Sequence, residues 1–371
     1  MAVEQETRKT GFLKFSDRSR AENISTIRKI WPWFFLALMV IVFTIASQAM
    51  NAVNFLSVRS LQGILIFTTQ ILLLALGETL VIIAAGIDLS VAYILGLAAV
   101  ISAEIMKFLY AAGMPPGFVV PLGMLGGVLV CIIPGWINGI LVARIKVPPF
   151  ISTLGMGYAV FGIALLISGG YPVANQPPYL GQLGNGSLLY LWVSKGIAFF
   201  KIPEYATNVD LQSIYPLLPN VVFVTLIVTI ICWYILAKTQ YGQHLYAIGG
   251  NLEAAMRAGI PVKRTLIWVY IIAAVLAGVA GSLWAARFTS GAANAGETSL
   301  LMAIAAVVIG GASLFGGEGN VIGTVIGALI IATIQFGLVI LGMQPFWQFI
   351  AVGVVVIIAV IVDQFGRTME Q

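Results

Sequence analysis

WPWFFLALMVIVFTIASQAM, residues Trp31 to Met50, runs for 20 positions without a formal charge. At about 1.5 Å per residue a helix of that length spans about 30 Å, the depth of a bilayer's hydrocarbon core. The 30 polar residues before it are too many for a secretory n-region, and the run exceeds the roughly 7–15 apolar residues of a cleavable signal. The first helix is therefore expected to remain in the mature chain. Similar runs recur outward from this one. Using Gly, Pro and charge as punctuation, spans fall at 31–50, 60–86, 88–108, 117–142, 149–168, 217–237, 267–286, 300–315, 320–341 and 346–363. The 371 residues are 60% apolar and only 9% charged, against roughly a quarter in soluble domains. The mean hydropathy is +1.01. A soluble globular protein is excluded, and the fold class expected is an all-α polytopic membrane protein of about ten transmembrane helices.

Ten crossings place both termini on one side, and the excess of Lys and Arg chooses the cytoplasm. Fourteen of the 19 cations then lie inside: Arg8, Lys9, Lys14, Arg18, Arg20, Arg28 and Lys29, then Arg144 and Lys146, then Lys238, Arg257, Lys263 and Arg264, then Arg367. Arg59, Lys107, Lys195, Lys201 and Arg287 are left outside. The organisation expected is a cytoplasmic segment 1–30, a membrane domain 31–366 with an outer insertion 169–216 and an inner loop 238–266, and a tail 367–371. Between 60–86 and 88–108 there is no room for an ordinary loop. Gly86, Ile87 and Asp88 read as a turn within or near the membrane, where helix-end backbone groups need partners. The short eighth span and the following Gly316, Gly317 and Gly319 read as a second break of the kind transporters use.

None of the polar segments can hold a nucleotide-binding domain, and no Gly is followed by Lys, so a P-loop is excluded. Any ATPase must be a separate chain. The single His244 has no second His or nearby Cys for a metal or nucleophile site, and reads as a solvated or interfacial loop residue. Cys131 and Cys232 sit in apolar runs as small buried hydrophobes. No catalytic residue, bound cofactor, metal or nucleic-acid partner is expected. Among the acids, Glu104 reads as interfacial and Asp88 as a cap for the third helix. Glu78 lies at membrane depth, about two turns from the inner end of its span, where it either serves the transport path or reaches the interface.

The inner loop carries the sharpest local pattern. Asn251-Leu252-Glu253-Ala254-Ala255-Met256-Arg257-Ala258-Gly259-Ile260-Pro261 offers a cap, an acidic first turn, helix formers, a cation in the last turn and then Gly and Pro as stops. A helix of about two turns is expected, too short to stand without something to pack against. Either the membrane surface or a cytoplasmic partner supplies that contact.

This segment resembles the EAA loop of ABC importer permeases, the coupling helix that seats in a groove of the ATPase. GETLVIIAAGIDLSV (Gly77 to Val91), VPPFISTLG (Val147 to Gly155) and AIAAVVIGG (Ala303 to Gly311), the last followed by Ser313, Gly316, Gly317 and Gly319, are similar to signatures of the ribose, xylose and galactose permease family. The resemblance runs in order from about residue 60 to the C-terminus. It implies a subunit of an ATP-driven, binding-protein-dependent importer in the bacterial inner membrane, working by alternating access on a monosaccharide or related polyol. The implied partners are a cytoplasmic ATPase carrying ATP and Mg, a periplasmic sugar-binding protein, a second permease copy or a paralogue, and the surrounding lipid. It implies that Asn251, Glu253, Ala254, Ala255, Arg257 and Gly259 contact the ATPase. Glu78, Asn138 and Phe150 are the candidates for lining or gating the path. The insertion 169–216 is longer than in the simplest members, and its Tyr171, Tyr179, Tyr190, Trp192 and Tyr205 are either a contact for the binding protein or a membrane belt. Two alternatives stand: a permease for another polar solute such as a nucleoside or amino acid, and an ion-coupled secondary transporter.

Overall fold

The computed structural model describes residues 31–192, 196–199 and 214–368. The segment 1–30, Lys195, Lys201, Tyr205 and the tail beyond Thr368 lie outside them. In chain order the helices are α1 (Trp31–Ala49), α2 (Val58–Ile83), α3 (Val91–Ala111), α4 (Pro116–Ile145), α5 (Pro149–Ser168) and α6 (Pro178–Asn185). Three strands follow, β1 (Ser187–Trp192), β2 (Gly196–Phe199) and β3 (Ile214–Pro219). Then come α7 (Asn220–Lys238), α8 (Gln240–Gly250), α9 (Leu252–Arg257), α10 (Val262–Phe288), α11 (Ser299–Ile309), α12 (Val321–Ile340) and α13 (Pro345–Thr368). Among the described residues, eight helices are long and apolar enough to cross a membrane. The expected eighth and tenth spans fall on α11, at 11 residues too short to cross alone, and on α13. The chain is an all-α multi-pass membrane protein with one small sheet.

Local chemistry sets the helix ends. Ser57 Oγ accepts from Ser60 N–H at 3.1 Å to open α2, and Asn320 Oδ1 accepts from Gly323 N–H at 2.7 Å to open α12. Pro149, whose missing N–H is harmless at a helix start, opens α5, and Gly169 in left-handed geometry closes it. Helix α4 breaks at Cys131, because Pro134 gives no N–H to the Val130 carbonyl and its ring crowds it. It ends in a π-turn at Leu141–Ile145 before Lys146, at φ +65°.

Packing sorts the helices into two shells. Helix α2 is 83% buried over its most apolar stretch and packs on α10, α11 and α12, with α3 against α10 in the same inner shell, while α1, α4, α5 and α7 bury 17–28% and form the outer face. The corrected boundaries matter for function: α2 stops at Ile83 and α3 starts at Val91, so Gly86 is outside the helix and the link runs from Ala84 to Ser90. Helix α11 likewise stops at Ile309, six residues before the expected end.

The insertion 169–216 holds a three-stranded sheet among its described residues. β1 pairs antiparallel with both β2 and β3, in the order β2-β1-β3. Tyr190 sits on β1, its hydroxyl accepting from Ser187 N–H at 2.9 Å, and Trp192 is buried. Tyr171 and Tyr179 are exposed. Helix α6 ties this layer to the bundle, with Gly184 against Ala286 and Asn185 Nδ2 donating to the Arg287 carbonyl at 2.8 Å.

Candidate functional site

The short helix α9 forms where the sequence places it. Asn251 Oδ1 accepts from Ala254 N–H at 2.9 Å, and Gly259 closes the turn at φ +79°. Only Ala255 is buried. Leu252, Glu253, Ala254, Met256 and Arg257 face outward, and Glu253 pairs with Arg257 at 3.8 Å. That exposed pair contributes little to stability. Removing the cap, as Asn251→Ala, is expected to cost about 1 kcal/mol, read as faster hydrogen exchange confined to residues 251–260. Close by, Arg144, Lys263, Arg264, Ile267 and Trp268 line a cavity of about 530 Å³ at one end of α4 and α10.

One residue, Asn251, separates α9 from α8, and its N–H still donates to the Ala247 carbonyl at 3.1 Å, so the two helices form one elbow. Thr239 caps α8 through Gly242 N–H at 3.3 Å. His244, expected in a loop, is half-buried on α8 because Leu245 and Ile248 anchor that helix to the bundle. Tyr246 Oη donates to the Gly319 carbonyl at 2.7 Å; burial raises its pKa above the ordinary tyrosine value, which keeps the donor protonated.

Beneath α8 the two breaks meet. Gly317 N–H donates to the Ile83 carbonyl at 2.9 Å, joining the 84–90 link to the 310–320 loop. Gly316, at φ +89°, lies against Ala85, itself at φ +62°. Gly249 sits directly on this junction: a Cβ there would run into the Ile83 carbonyl and Gly317 N. Deeper in, Thr79 Oγ1 and Thr324 Oγ1 bond at 2.6 Å, tying α2 to α12.

The 84–90 link turns back along α2 and does not leave it. Asp88 N–H donates to Glu78 Oε2 at 3.4 Å, which puts Asp88 beside a residue about 8 Å above the end of α2. Asp88 Oδ1 accepts from both the N–H and the hydroxyl of Ser90. Asn138 Nδ2 donates to Ser90 Oγ at 2.9 Å, Ser152 Oγ donates to Asn138 Oδ1 at 3.4 Å, and Leu89 N–H donates to Thr153 Oγ1 at 3.0 Å. Four segments, α2, the 84–90 link, α4 and α5, are thus stitched at one point. Glu78 and Asn138 are completely buried and belong to this cluster, so the reading of Glu78 as an interface-seeking side chain is overturned: the returning link covers it. Glu78 Oε1 and Asp88 Oδ2 have no hydrogen-bond partner among the described residues. Phe150 lies apart, 51% exposed at the start of α5. Glu104, partly exposed on α3, pairs with Lys107 at 3.4 Å.

A third interruption enters from the other end of the bundle. After α10 the chain pairs with Val173 through Gly291 (2.7 and 3.1 Å), then runs along α3 with Gly291 on Ala99, Ala293 on Gly96 and Gly296 on Ala92. Gln70 Nε2 donates to the Ala295 carbonyl and to Ser299 Oγ, both at 3.0 Å. Sequence reasoning missed Tyr246, Gly249, Gln70 and this descending segment. The Gly249-Gly250 pair was the available signal for the first two.

Residues 60–360 match the family model described as branched-chain amino acid transport system / permease component. The chain is 38% identical to the fructose import permease protein of Rhizobium meliloti over 78% of its length and 73% of that protein. It is 33% identical to the ribose import permease protein of Bacillus subtilis (94% and 97% covered) and 34% identical to the D-allose transport system permease protein of Escherichia coli K12 (91% of each). No solved structure matches. The motif-bearing links, the broken helices and a match covering most of the bundle agree: the chain belongs to this permease family of transport-system membrane components.

Proposed function

We propose that this chain is the membrane-spanning subunit of an ATP-driven, binding-protein-dependent importer of a monosaccharide or related polyol in the bacterial inner membrane. It supplies no chemical step. ATP and Mg belong to a partner ATPase, which docks on α9; a periplasmic sugar-binding protein docks at the outer layer, where Tyr171 and Tyr179 stand free; and a second copy completes the path. The topology proposed is ten crossings with both termini cytoplasmic, the descending segment 289–298 and α11 together making one of them.

The observation that carries this reading is the α8–α9 elbow. Its outer arm exposes Leu252 and Met256 on a six-residue helix, and its inner arm rests on the junction of the two breaks through Tyr246 and Gly249. A displacement of α9 has to be passed to Ile83, Gly317 and Gly319. That is a physical route for coupling free energy between an ATPase and a transport path. The relatives named as fructose, ribose and D-allose permeases support sugar as the cargo.

Glu253→Lys is expected to turn the neutral Glu253–Arg257 pair of the docking face doubly positive, and Gly259→Leu to strain a left-handed position in which L side chains are disfavoured. Either variant should stay in the membrane but lose ATPase co-purification or sugar-stimulated ATP hydrolysis by about tenfold, a coupling loss of ordinary size. Unchanged co-purification and hydrolysis in both would remove α9 as the docking helix. A second reading, ion-coupled transport, draws on the unpartnered Glu78 Oε1 inside the bundle. Uptake at the unsubstituted rate from Glu78→Gln would dismiss it.

A further inference from the structure

We infer that Glu297, Tyr93 and Tyr158 form a sugar-facing wall of the transport path, a neutral polyhydroxyl site halfway across the membrane. The assignment rests on the permease reading above.

The depth follows from contacts. Gln70 is the thirteenth of the 26 residues of α2, about 18 Å from either end, and it binds the Ala295 carbonyl and Ser299 Oγ, which bracket Glu297. Tyr158 is the tenth of the 20 residues of α5, and its ring lies 5.7 Å from that of Tyr93 at an interplanar angle of 30°. Phe161, one turn further along α5, also packs on Tyr93, at 5.5 Å. Gly296 lies against the Ala92 backbone, which brings the adjoining Glu297 alongside Tyr93 at the start of α3. Two independent helices thus give the same mid-membrane level.

At that level the exposure of these groups is anomalous. Glu297 and Asn294 are exposed on the surface of the chain, Tyr158 is 62% exposed, and the Glu297 carboxylate, whose backbone N–H donates to the Asn294 carbonyl at 3.2 Å, has neither a hydrogen-bond nor an ion-pair partner among the described residues. A carboxylate at mid-depth does not face lipid; it faces a protein interior or a water-filled path. Here it does not face this chain's own interior. The remaining position is the aqueous space between this chain and its second copy.

The chemistry selects the ligand. A tyrosine face accepts the flat C–H face of a sugar ring, while a carboxylate and an amide accept and donate hydrogen bonds to hydroxyls. A substrate carboxylate, as on a branched-chain amino acid, would meet Glu297 with like charge, so the wall favours a neutral cargo. Glu297, Tyr93 and Tyr158, with the exposed Asn294 amide beside them, form a sparse site on one protomer, suited to passage and not to retention.

The test uses the complete complex of permease, ATPase and binding protein in proteoliposomes, with D-ribose and D-fructose as cargo. Cys131 and Cys232 are buried, so a charged, membrane-impermeant thiol reagent meets little background. Glu297→Cys is expected to react at least tenfold faster than Leu226→Cys, an exposed apolar position within α7, and cargo under turnover should slow the reaction at least threefold. Tyr158→Ala should lower maximal uptake about tenfold, with Tyr158→Phe restoring it, while ATPase co-purification stays unchanged. A Glu297→Cys as inert as Leu226→Cys, or labelling and uptake indifferent to cargo and to Tyr158→Ala, overturns the assignment alone. No ATP-dependent uptake of either sugar by the unsubstituted complex overturns the import reading, and the assignment with it.

Discussion

Gly249→Val is expected to lower coupled uptake by about 5- to 150-fold while leaving the chain inserted and able to hold its ATPase. A Cβ at Gly249 meets backbone, the Ile83 carbonyl and Gly317 N, which cannot rotate away as a side-chain tip can. Overpacking of this kind costs about 1–3 kcal/mol, and a coupling loss of that size is about 5- to 150-fold. The strain falls on the hydrogen bond joining the two breaks, at 2.9 Å between Gly317 and Ile83. The neighbouring Gly250 has open space around it, so Gly250→Ala should transport within about twofold of the unsubstituted chain, as surface changes generally do. The pair of variants separates a mechanical seat from general sensitivity of α8. Uptake assayed with ATPase retention decides it: equal uptake from Gly249→Val means that the elbow does not transmit motion through this junction.

Asn138→Leu carries the second large effect. Asn138 is fully buried and bonds the Ser90 and Ser152 hydroxyls from α4, holding the start of α3 against α5. A leucine of similar size leaves the Ser152 hydroxyl without that acceptor and Ser90 with its bond to Asp88 alone, and an unsatisfied buried group costs about 1–3 kcal/mol. The expected result is a marked fall in thermal stability in detergent, with uptake reduced because the 84–90 link loses its anchor. Ser152→Ala removes one end of the same chain and leaves Ser90 bonded, so its loss of stability should be smaller, about 1 kcal/mol. A thermal midpoint for Asn138→Leu equal to that of the unsubstituted protein would show that the cluster does not hold the link.

What the sequence disclosed divides by the range of the interactions. The α9 cap, its Gly stop and the existence of a break at Gly86–Asp88 are governed by residues within four positions, and the sequence carries them openly. Depth is not local. Glu78 looked free to reach an interface because only its distance from the helix end is visible in one dimension. Its cover comes from Asp88 folding back, an arrangement fixed by Thr153, more than 60 residues downstream. The Thr79–Thr324 bond spans 245 residues. The outer sheet escaped notice because β1, Ser187–Trp192, is a short apolar run whose aromatics also suit a membrane interface. Glu297 was passed over for a related reason: its segment, 289–298, is rich in Gly and Ala and reads as an outer loop. It enters the bundle only because Gly96 lets Ala293 approach α3.

Sugar uptake by proteoliposomes holding the chain with its ATPase and binding protein tests the importer directly. Internal ATP, internal ADP and an imposed proton gradient are compared, with D-ribose and D-fructose as probes. The expected result is uptake that requires both internal ATP and the binding protein and ignores a protonophore. Uptake by the chain alone, driven by the proton gradient and lost in Glu78→Gln, would contradict it and make the buried acid the centre of the mechanism.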